Sequence, residues 1–293
     1  MNTQKEFTDE ELYRKDNLER LEAFRPIDDI MFRAMLRDNI PLAEYILRVF
    51  LEKPDIEVRK LDVQADMKMV DGARSLVFDA YVTDGNSTKY DLEVQKDTDG
   101  ADPRRARYHA SIMDEKNSHT GEDFLDLTDI YVLFVTETDV VGEGSALNPV
   151  ERVYTNSGKN FDDGMHILYV NGAYKGGGPV GDLIHDFCCS DPDSMKVKMM
   201  ADAARRVKET TEGVKEMCHS MELLRAESLA QGREEGRQEG REEGRQEGRI
   251  LQLIEVYRNE LHMDDALIRN KVAQRFGLPE SEISRFMQEP AEV

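Results

Sequence analysis

The chain has 293 residues and a mass of 33.5 kDa, enough for one large domain or two smaller ones. It contains no run of about eighteen apolar residues and its N-terminal segment is charged throughout, so the sequence predicts no contact with a membrane, no signal peptide and a cytoplasmic location. The net charge of -21 argues against a broad basic surface, and three cysteines, two of them adjacent, fit neither a disulfide framework nor a zinc site.

Composition divides the chain into four segments. Residues 1–23 form a charged leader, expected to be frayed helix. In residues 24–194 helical and β segments alternate, including β segments at 152–154 and 166–170, which predicts an α/β domain. Residues 195–249 are helical and end in a charged repeat, and residues 250–293 form a small helical tail.

A β-hairpin is the most informative local prediction. Residues 76–82 are a β-rich apolar run, and in residues 89–96 apolar and polar side chains alternate. If the loop between them is residues 85–87, the ladder places Asp79 opposite Glu93. Two acidic side chains would then lie side by side on neighbouring strands.

These two carboxylates suggest a metal site. Asp79 interrupts an apolar run where an unpaired charge is costly, and period two puts Glu93 and Gln95 on one face. A divalent cation such as Mg²⁺ would relieve the repulsion, because it prefers carboxylate oxygens and binds phosphates as well. The alternative is that both acids are solvent-facing residues of an ordinary hairpin.

The same residues carry a family resemblance. Asp79, thirteen intervening residues and then Glu93-x-Gln95 resemble the PD-(D/E)XK nuclease motif in the variant with Gln at the usual Lys position. Residues 24–36 resemble the amphipathic opening helix of the recombination-promoting nuclease and transposase-like (Rpn) family. Residues 104–111 and 127–134 are similar to that family's Arg/Tyr helix and next core strand.

The resemblance implies a restriction-endonuclease-like PD-(D/E)XK core, a mixed central sheet flanked by helices, followed by a helical or coiled-coil region. It further implies an Mg²⁺- or Mn²⁺-dependent DNA endonuclease linked to recombination or transposition. Asp79 and Glu93 would bind the metal, and Gln95 would orient the attacking water without the charge of a lysine. Asp29 is the nearest match to a further acid, although Asp28 is adjacent and a helix N-terminus favours either without a catalytic role.

The helix after the hairpin supplies candidate phosphate contacts. Arg104 and Tyr108 are four residues apart on one face, and Arg105 is one position round from it. An exposed salt bridge is the simpler hypothesis for either arginine. His109 is either a base or a surface residue.

The C-terminal third predicts self-association. Heptad-like spacing favours a short coiled coil, with the apolar positions Val207, Val214, Met217, Met221 and Leu224. The repeat at residues 232–249 has glycine at every fourth position and would form arginine and glutamate stripes on a helix. Such a helix could pair with a second chain as a homo-oligomer, or the repeat could be a charged linker.

The tail from Ile250 onward is predicted to contain three helices, with Asp264 and Gly277 marking boundaries. Acids outnumber its basic residues, so a protein-interaction role is favoured over DNA binding by a helix-turn-helix. Two other functions are also considered for the whole chain. One is a catalytically weak nuclease fold that acts as an oligomeric binding protein, and the other is a regulator of transcription that acts through its tail.

Overall fold

The computed structural model describes residue 8 and residues 14–67, 76–96, 98–118, 121 and 123–288. It divides into two compact units, Met1–Glu222 and Leu223–Val293. Most of the leader, residues 1–7 and 9–13, lies outside the described residues. Within the described ranges, no helix combines the length and the apolar character that a bilayer crossing requires.

Among the described residues, three helices precede the sheet: α1 (Lys15–Ala23), α2 (Asp29–Leu36) and α3 (Ile40–Phe50). The prediction that a helix opens at residue 24 is wrong, because α2 begins only at Asp29. Pro26 explains why the helix does not include Arg25, since a proline disfavours helical geometry in the residue before it. A turn in which the Asp28 N–H donates to the Arg25 carbonyl precedes α2 instead.

A mixed six-stranded sheet forms the centre of the first unit, in the order β1-β2-β3-β4-β6-β5. Its β1–β2–β3 portion is antiparallel, β3, β4 and β6 run parallel, and β5 is an antiparallel edge. The strands are β1 (Val58–Met67), β2 (Leu76–Asp84), β3 (Lys89–Gln95), β4 (Ile130–Thr136), β5 (Leu147–Val150) and β6 (Met165–Asn171).

The predicted hairpin and its register are observed. Thr83 pairs with Lys89, and the ladder continues to Ala80 and Leu92. The loop is residues 85–87, and its last residue, Ser87, has a φ of 68°, the left-handed geometry that a three-residue hairpin loop requires. Turn chemistry and period two therefore predict this part of the fold correctly.

Helices cover both faces of the sheet. The first face packs against α2, α3, α5 (Gly178–Phe187) and α6 (Lys198–Glu209) in one large apolar core. The second face packs against α4 (Pro103–Asn117), which follows a 3-10 turn at Thr98–Ala101 and joins β3 to β4. The first unit is thus an α/β layer structure whose second face depends on one helix.

The predicted β segment at residues 152–154 is not a strand. Val153 forms only an isolated bridge with Asn160, and the edge of the sheet is β5 instead. A β-rich tripeptide is too short to specify a strand, because pairing depends on the neighbour that the fold supplies.

The predicted coiled-coil seam is wrong, because its residues pack inside the first unit. Val207 lies on α6, Met217 and Met221 lie on α7 (Thr211–Glu255), and all three are buried in the core of the first face. Only Leu224 is substantially exposed. The first unit therefore extends past the predicted boundary at residue 194, to Glu222.

The charged repeat is helical, because α7 continues through it to Glu255. A π-helical turn follows, and then α8 (Asp265–Phe276) and α9 (Glu280–Gln288). Asp264 caps α8 by accepting from the Leu267 N–H, and Gly277 ends it with a φ of 68°. The core of this second unit consists of Ile250, Ile254, Ile268, Val272, Ala273 and Ile283.

Candidate metal centre

Side chains replace the backbone ladder at the C-terminal end of β3. The ladder between β2 and β3 ends at Ala80 and Leu92. Beyond it, the Asp79 N–H donates to Oε1 of Glu93 at 2.9 Å, and the Val94 N–H donates to Oδ2 of Asp79 at 3.1 Å. The two predicted acids are thus neighbours on opposite strands, and each accepts a hydrogen bond from the other strand's backbone.

Asp91 and His109 complete the cluster from the second face of the sheet. Asp91 lies two residues before Glu93 on β3, and His109 comes from the buried side of α4. Nδ1 of His109 is 2.6 Å from Oδ2 of Asp91, and both side chains are fully buried. Phe78 and Phe134 pack against the imidazole with ring centroids 5.3 and 5.7 Å away, so water has little access to it.

Arg105 brings positive charge to this cluster. Its Nε donates to Nε2 of His109 at 3.2 Å, and its NH2 group donates to Oε2 of Glu93 at 3.4 Å. The side chain is 38 % exposed, whereas Glu93 beneath it is 1 % exposed. Arg105 therefore covers the cluster from the solvent side.

Burial of so many acids shifts their protonation. Loss of solvation raises the pKa of Asp79 to about 8, and the charges of Glu93 and Asp29 add to the effect. Burial likewise raises the pKa of Glu93 to about 8, with Asp91 as the next cause, and raises the pKa of Asp91 well above its usual value. Burial lowers the pKa of His109 to about 4, so the ring is neutral at pH 7.

The arrangement fits a metal ion. Asp91, Glu93 and His109 each offer a ligand atom, and these atoms lie within 4.8 Å of one another. Oδ1 of Asp91 is buried without a donor group to accept from, and the side chain that interacts with Asp91 on the same strand is another carboxyl, Glu93, so a shared proton or a cation is needed there. Carboxylate and imidazole donors together suit divalent metal ions.

The remaining acids and Lys96 lie on the other side of β3. Asp29 is near enough to raise the pKa of Asp79, and it pairs with Arg33 one turn along α2. Asp28 instead accepts from Nζ of Lys96 at 2.7 Å. Lys96 is the residue after β3 and points away from the face that carries Glu93, as the alternation of side chains along a strand predicts.

The predicted catalytic residue Gln95 and the predicted phosphate contacts Arg104, Arg105 and Tyr108 have different surroundings. Gln95 ends β3 half-buried and lies against Gly100, where an added Cβ would come within 2.0 Å of its Oε1. Arg104 is exposed and its nearest acid is Asp102, with the NH1 to Oδ2 distance 3.9 Å. Tyr108 packs at the edge of the second-face core. Arg105 contacts the acidic cluster through Oε2 of Glu93.

The sequence did not assign Asp91 or His109 to the cluster, although His109 was a candidate base. Asp91 shares strand parity with Glu93 and Gln95, so period two alone could have included it. Of the two alternatives for His109, the surface residue is wrong, because α4 turns that side towards the sheet. The pattern Ala106, His109, Ala110 and Met113 is the sequence signal of this buried stripe.

Comparisons with protein-family models, with curated proteins and with solved structures returned no match to this chain.

The raised pKa values predict that the metal-free protein loses stability as pH rises. Between about pH 4 and 8 the folded chain holds protons that the unfolded chain releases, and each tenfold difference in the proton affinity of one group corresponds to about 1.4 kcal/mol. Asp79→Asn keeps the acceptor for the Val94 N–H and removes one titrating group. In EDTA, the melting temperature of Asp79→Asn minus that of wild type should therefore increase as the pH rises from 5 to 9.

The matched control is Asp62→Asn, which changes a half-exposed acid on β1 that pairs with Lys60. It should leave the slope of melting temperature against pH unchanged. Parallel profiles for wild type and Asp79→Asn would contradict the assigned cost of burying this carboxylate.

Proposed function

We propose that the chain is a metal-dependent DNA endonuclease with a PD-(D/E)XK core, related to the Rpn family and to recombination or transposition. The mixed sheet supports this proposal. Its antiparallel hairpin bears the acids, and the helix α4 connects the hairpin to the parallel strand β4. Asp79 and Glu93 of the motif meet at the end of that hairpin, and Gln95 is the last residue of the same strand as Glu93.

One observation carries the proposal: three carboxylates, those of Asp79, Asp91 and Glu93, are buried together. A purely structural role would favour pairing each acid with a basic group, because an uncompensated buried charge is strongly destabilising. In the described residues only Arg105 forms an ion pair with any of the three, because the His109 that contacts Asp91 is neutral. This shortage of basic partners supports a divalent cation as the group that offsets the three acids.

The proposed reaction is hydrolysis of a phosphodiester by water, with attack at phosphorus and departure of the sugar oxygen. Asp79 and Glu93 would hold Mg²⁺ or Mn²⁺. When bound, the ion would lower the pKa of a coordinated water and offset the charge of the phosphate. Gln95, at the end of the same strand, would orient the water by hydrogen bonding but supply no charge.

Basic residues near the proposed site would attract DNA, although the net charge of the chain is -21. Arg104 and Arg107 are exposed on the first turns of α4, and Lys96 is half-exposed beyond β3. Contacts of this kind should give weak binding that falls steeply with salt.

A second candidate function is favoured by Gln95. In this alternative the nuclease fold has lost efficient catalysis with the loss of the usual lysine, and the protein acts as an oligomeric binding protein. The two functions differ in whether the purified protein hydrolyses phosphodiester bonds in DNA.

Isosteric changes at the two predicted ligands should abolish turnover. With Asp79→Asn and Glu93→Gln, Mg²⁺- or Mn²⁺-dependent nicking of supercoiled plasmid should fall by roughly 100-fold or more, since each removes charge that holds the ion. Asp62→Asn is the control and should cleave like wild type. Wild-type rates in either test variant would show that the site is misassigned, and absence of divalent-dependent cleavage in wild type would favour the binding protein.

Gln95 should tolerate lysine better than alanine. Gln95→Lys restores a cation that stabilises charge on the phosphate, so cleavage should equal or exceed wild type. Gln95→Ala removes a single orienting hydrogen bond and should cost about 10- to 100-fold. The order of single-turnover rates tests this role, and a folded but inactive Gln95→Lys would oppose it.

We further propose that the charged repeat pairs with a second copy of the chain. Between residues 232 and 249 each glycine faces open space, and arginine and glutamate side chains are exposed in stripes along one continuous helix. Like charges one turn apart weaken an isolated helix, whereas an arginine stripe facing a glutamate stripe stabilises a pair.

A mixing experiment tests the pairing. One variant carries glutamate at Arg233, Arg237, Arg241 and Arg245, and a second carries arginine at Glu235, Glu239, Glu243 and Glu247. Light scattering should show each variant less associated than wild type at low salt, and an equimolar mixture should recover association. Equal masses for wild type and both variants would mean that the stripes do not pair.

A further inference from the structure

The Arg105 guanidinium occupies the place of a cation in the buried cluster. It bridges Nε2 of His109 at 3.2 Å and Oε2 of Glu93 at 3.4 Å. A ring nitrogen and a carboxylate oxygen that converge on one positive group are also the donors that a divalent metal ion takes. The contact thus identifies a position, distinct from the Asp79 side of Glu93, at which a metal ion could bind.

The hydrogen bonds fix the tautomer of His109. A guanidinium can only donate, so Nε2 of the ring must be the acceptor. The proton of the neutral ring is then on Nδ1, which donates to Oδ2 of Asp91 at 2.6 Å. A carboxylate that orients a histidine through one nitrogen, with the lone pair of the other directed outward, is the usual support of a metal-binding imidazole.

Asp91 independently indicates that positive charge is missing here. Its side chain is fully buried, its Oδ1 has no donor group to accept from, and it interacts with a second carboxyl, that of Glu93. Arg105 brings one positive charge to a group that includes Asp79, Asp91 and Glu93. A divalent ion in its place would balance the acids better.

We propose that Oε2 of Glu93 and Nε2 of His109 bind a transition-metal divalent cation such as Mn²⁺, that Asp91 orients the histidine, and that Arg105 occupies the position until the ion replaces it. The site shares Glu93 with the proposed nuclease centre, and only its role in cleavage rests on that function. The imidazole donor selects transition metals over Mg²⁺, which prefers oxygen ligands.

Arg105 is able to leave. It lies on the first turn of α4, and its side chain is 38 % exposed, whereas both of its partners are almost completely buried. Rotation of this long side chain would open the position without moving the helix. Released, the guanidinium would join Arg104 and Arg107 on the surface of α4, where it could contact a phosphate.

The test measures metal binding by the full-length protein, without any cleavage assay. The EDTA-treated chain is titrated with Mn²⁺ by electron paramagnetic resonance, and nitrogen coupling to the bound ion is detected by electron spin echo modulation. Wild type should show coupling to one imidazole nitrogen, and excess Mg²⁺ should not displace that ion.

Two variants with opposite expected effects separate a metal site from a structural ion pair. Arg105→Met removes the competing cation and should tighten Mn²⁺ binding about tenfold, because the competent state is no longer blocked. His109→Asn keeps an amide donor for Asp91 but lacks Nε2, so it should lose the nitrogen coupling and weaken binding by roughly tenfold or more. Arg104→Met, at an exposed neighbour, is the matched control and should change neither property.

Absence of nitrogen coupling in wild type would overturn the proposal, and so would unchanged or weaker Mn²⁺ binding in Arg105→Met. If His109→Asn does not fold, the wild-type coupling and Arg105→Met decide alone. Plasmid cleavage that depends on Asp79 without nitrogen coupling would leave the nuclease proposal intact and remove this one. Nitrogen coupling without cleavage would support this metal site and contradict the nuclease proposal.

Discussion

The cost of burying negative charge at the end of the β2–β3 ladder governs this part of the structure. The backbone pairing stops at Ala80 and Leu92, and the carboxylates of Asp79 and Glu93 accept the N–H groups that the ladder leaves unpaired. Those bonds hold the strand ends together, but they also fix two acids beside each other where solvation is poor. The local fold is therefore maintained by groups that repel when ionised, and protonation or a cation is needed to offset the repulsion.

Helix α4 determines how that charge is offset. It faces the sheet with a narrow stripe in which His109 lies among alanines and Met113, and it carries Arg105 one turn earlier. The helical register of α4 therefore places the imidazole of His109 against Asp91 and the guanidinium of Arg105 against Glu93. A change in the packing of α4 would alter both contacts together, so the electrostatics of the site and the packing of the second face are coupled.

The sequence predicts the hairpin well because its signals are local. A turn-forming loop and alternating side chains specify the register that brings Asp79 to Glu93, and Gln95 follows on the same strand. His109 could not be placed in this way, since its burial depends on which side of α4 meets the sheet. The spacing of Val207, Met217 and Met221 failed for a related reason: periodicity identifies an apolar helix face but not whether its partner is the same chain or another.

In the charged repeat, the local sequence disfavours a helix, but the structure is helical. Glycine at every fourth position costs about 1 kcal/mol each relative to alanine, yet residues 232–249 continue α7 as one helix. In the sequence only the flanking segments carry apolar residues, and Ile250 and Ile254 anchor the C-terminal end in the core of the second unit. Cooperative propagation from an anchored end can extend a helix through weak formers, because elongation avoids the cost of nucleation. Such a helix would remain marginal alone, which makes a stabilising partner along its charged stripes physically reasonable.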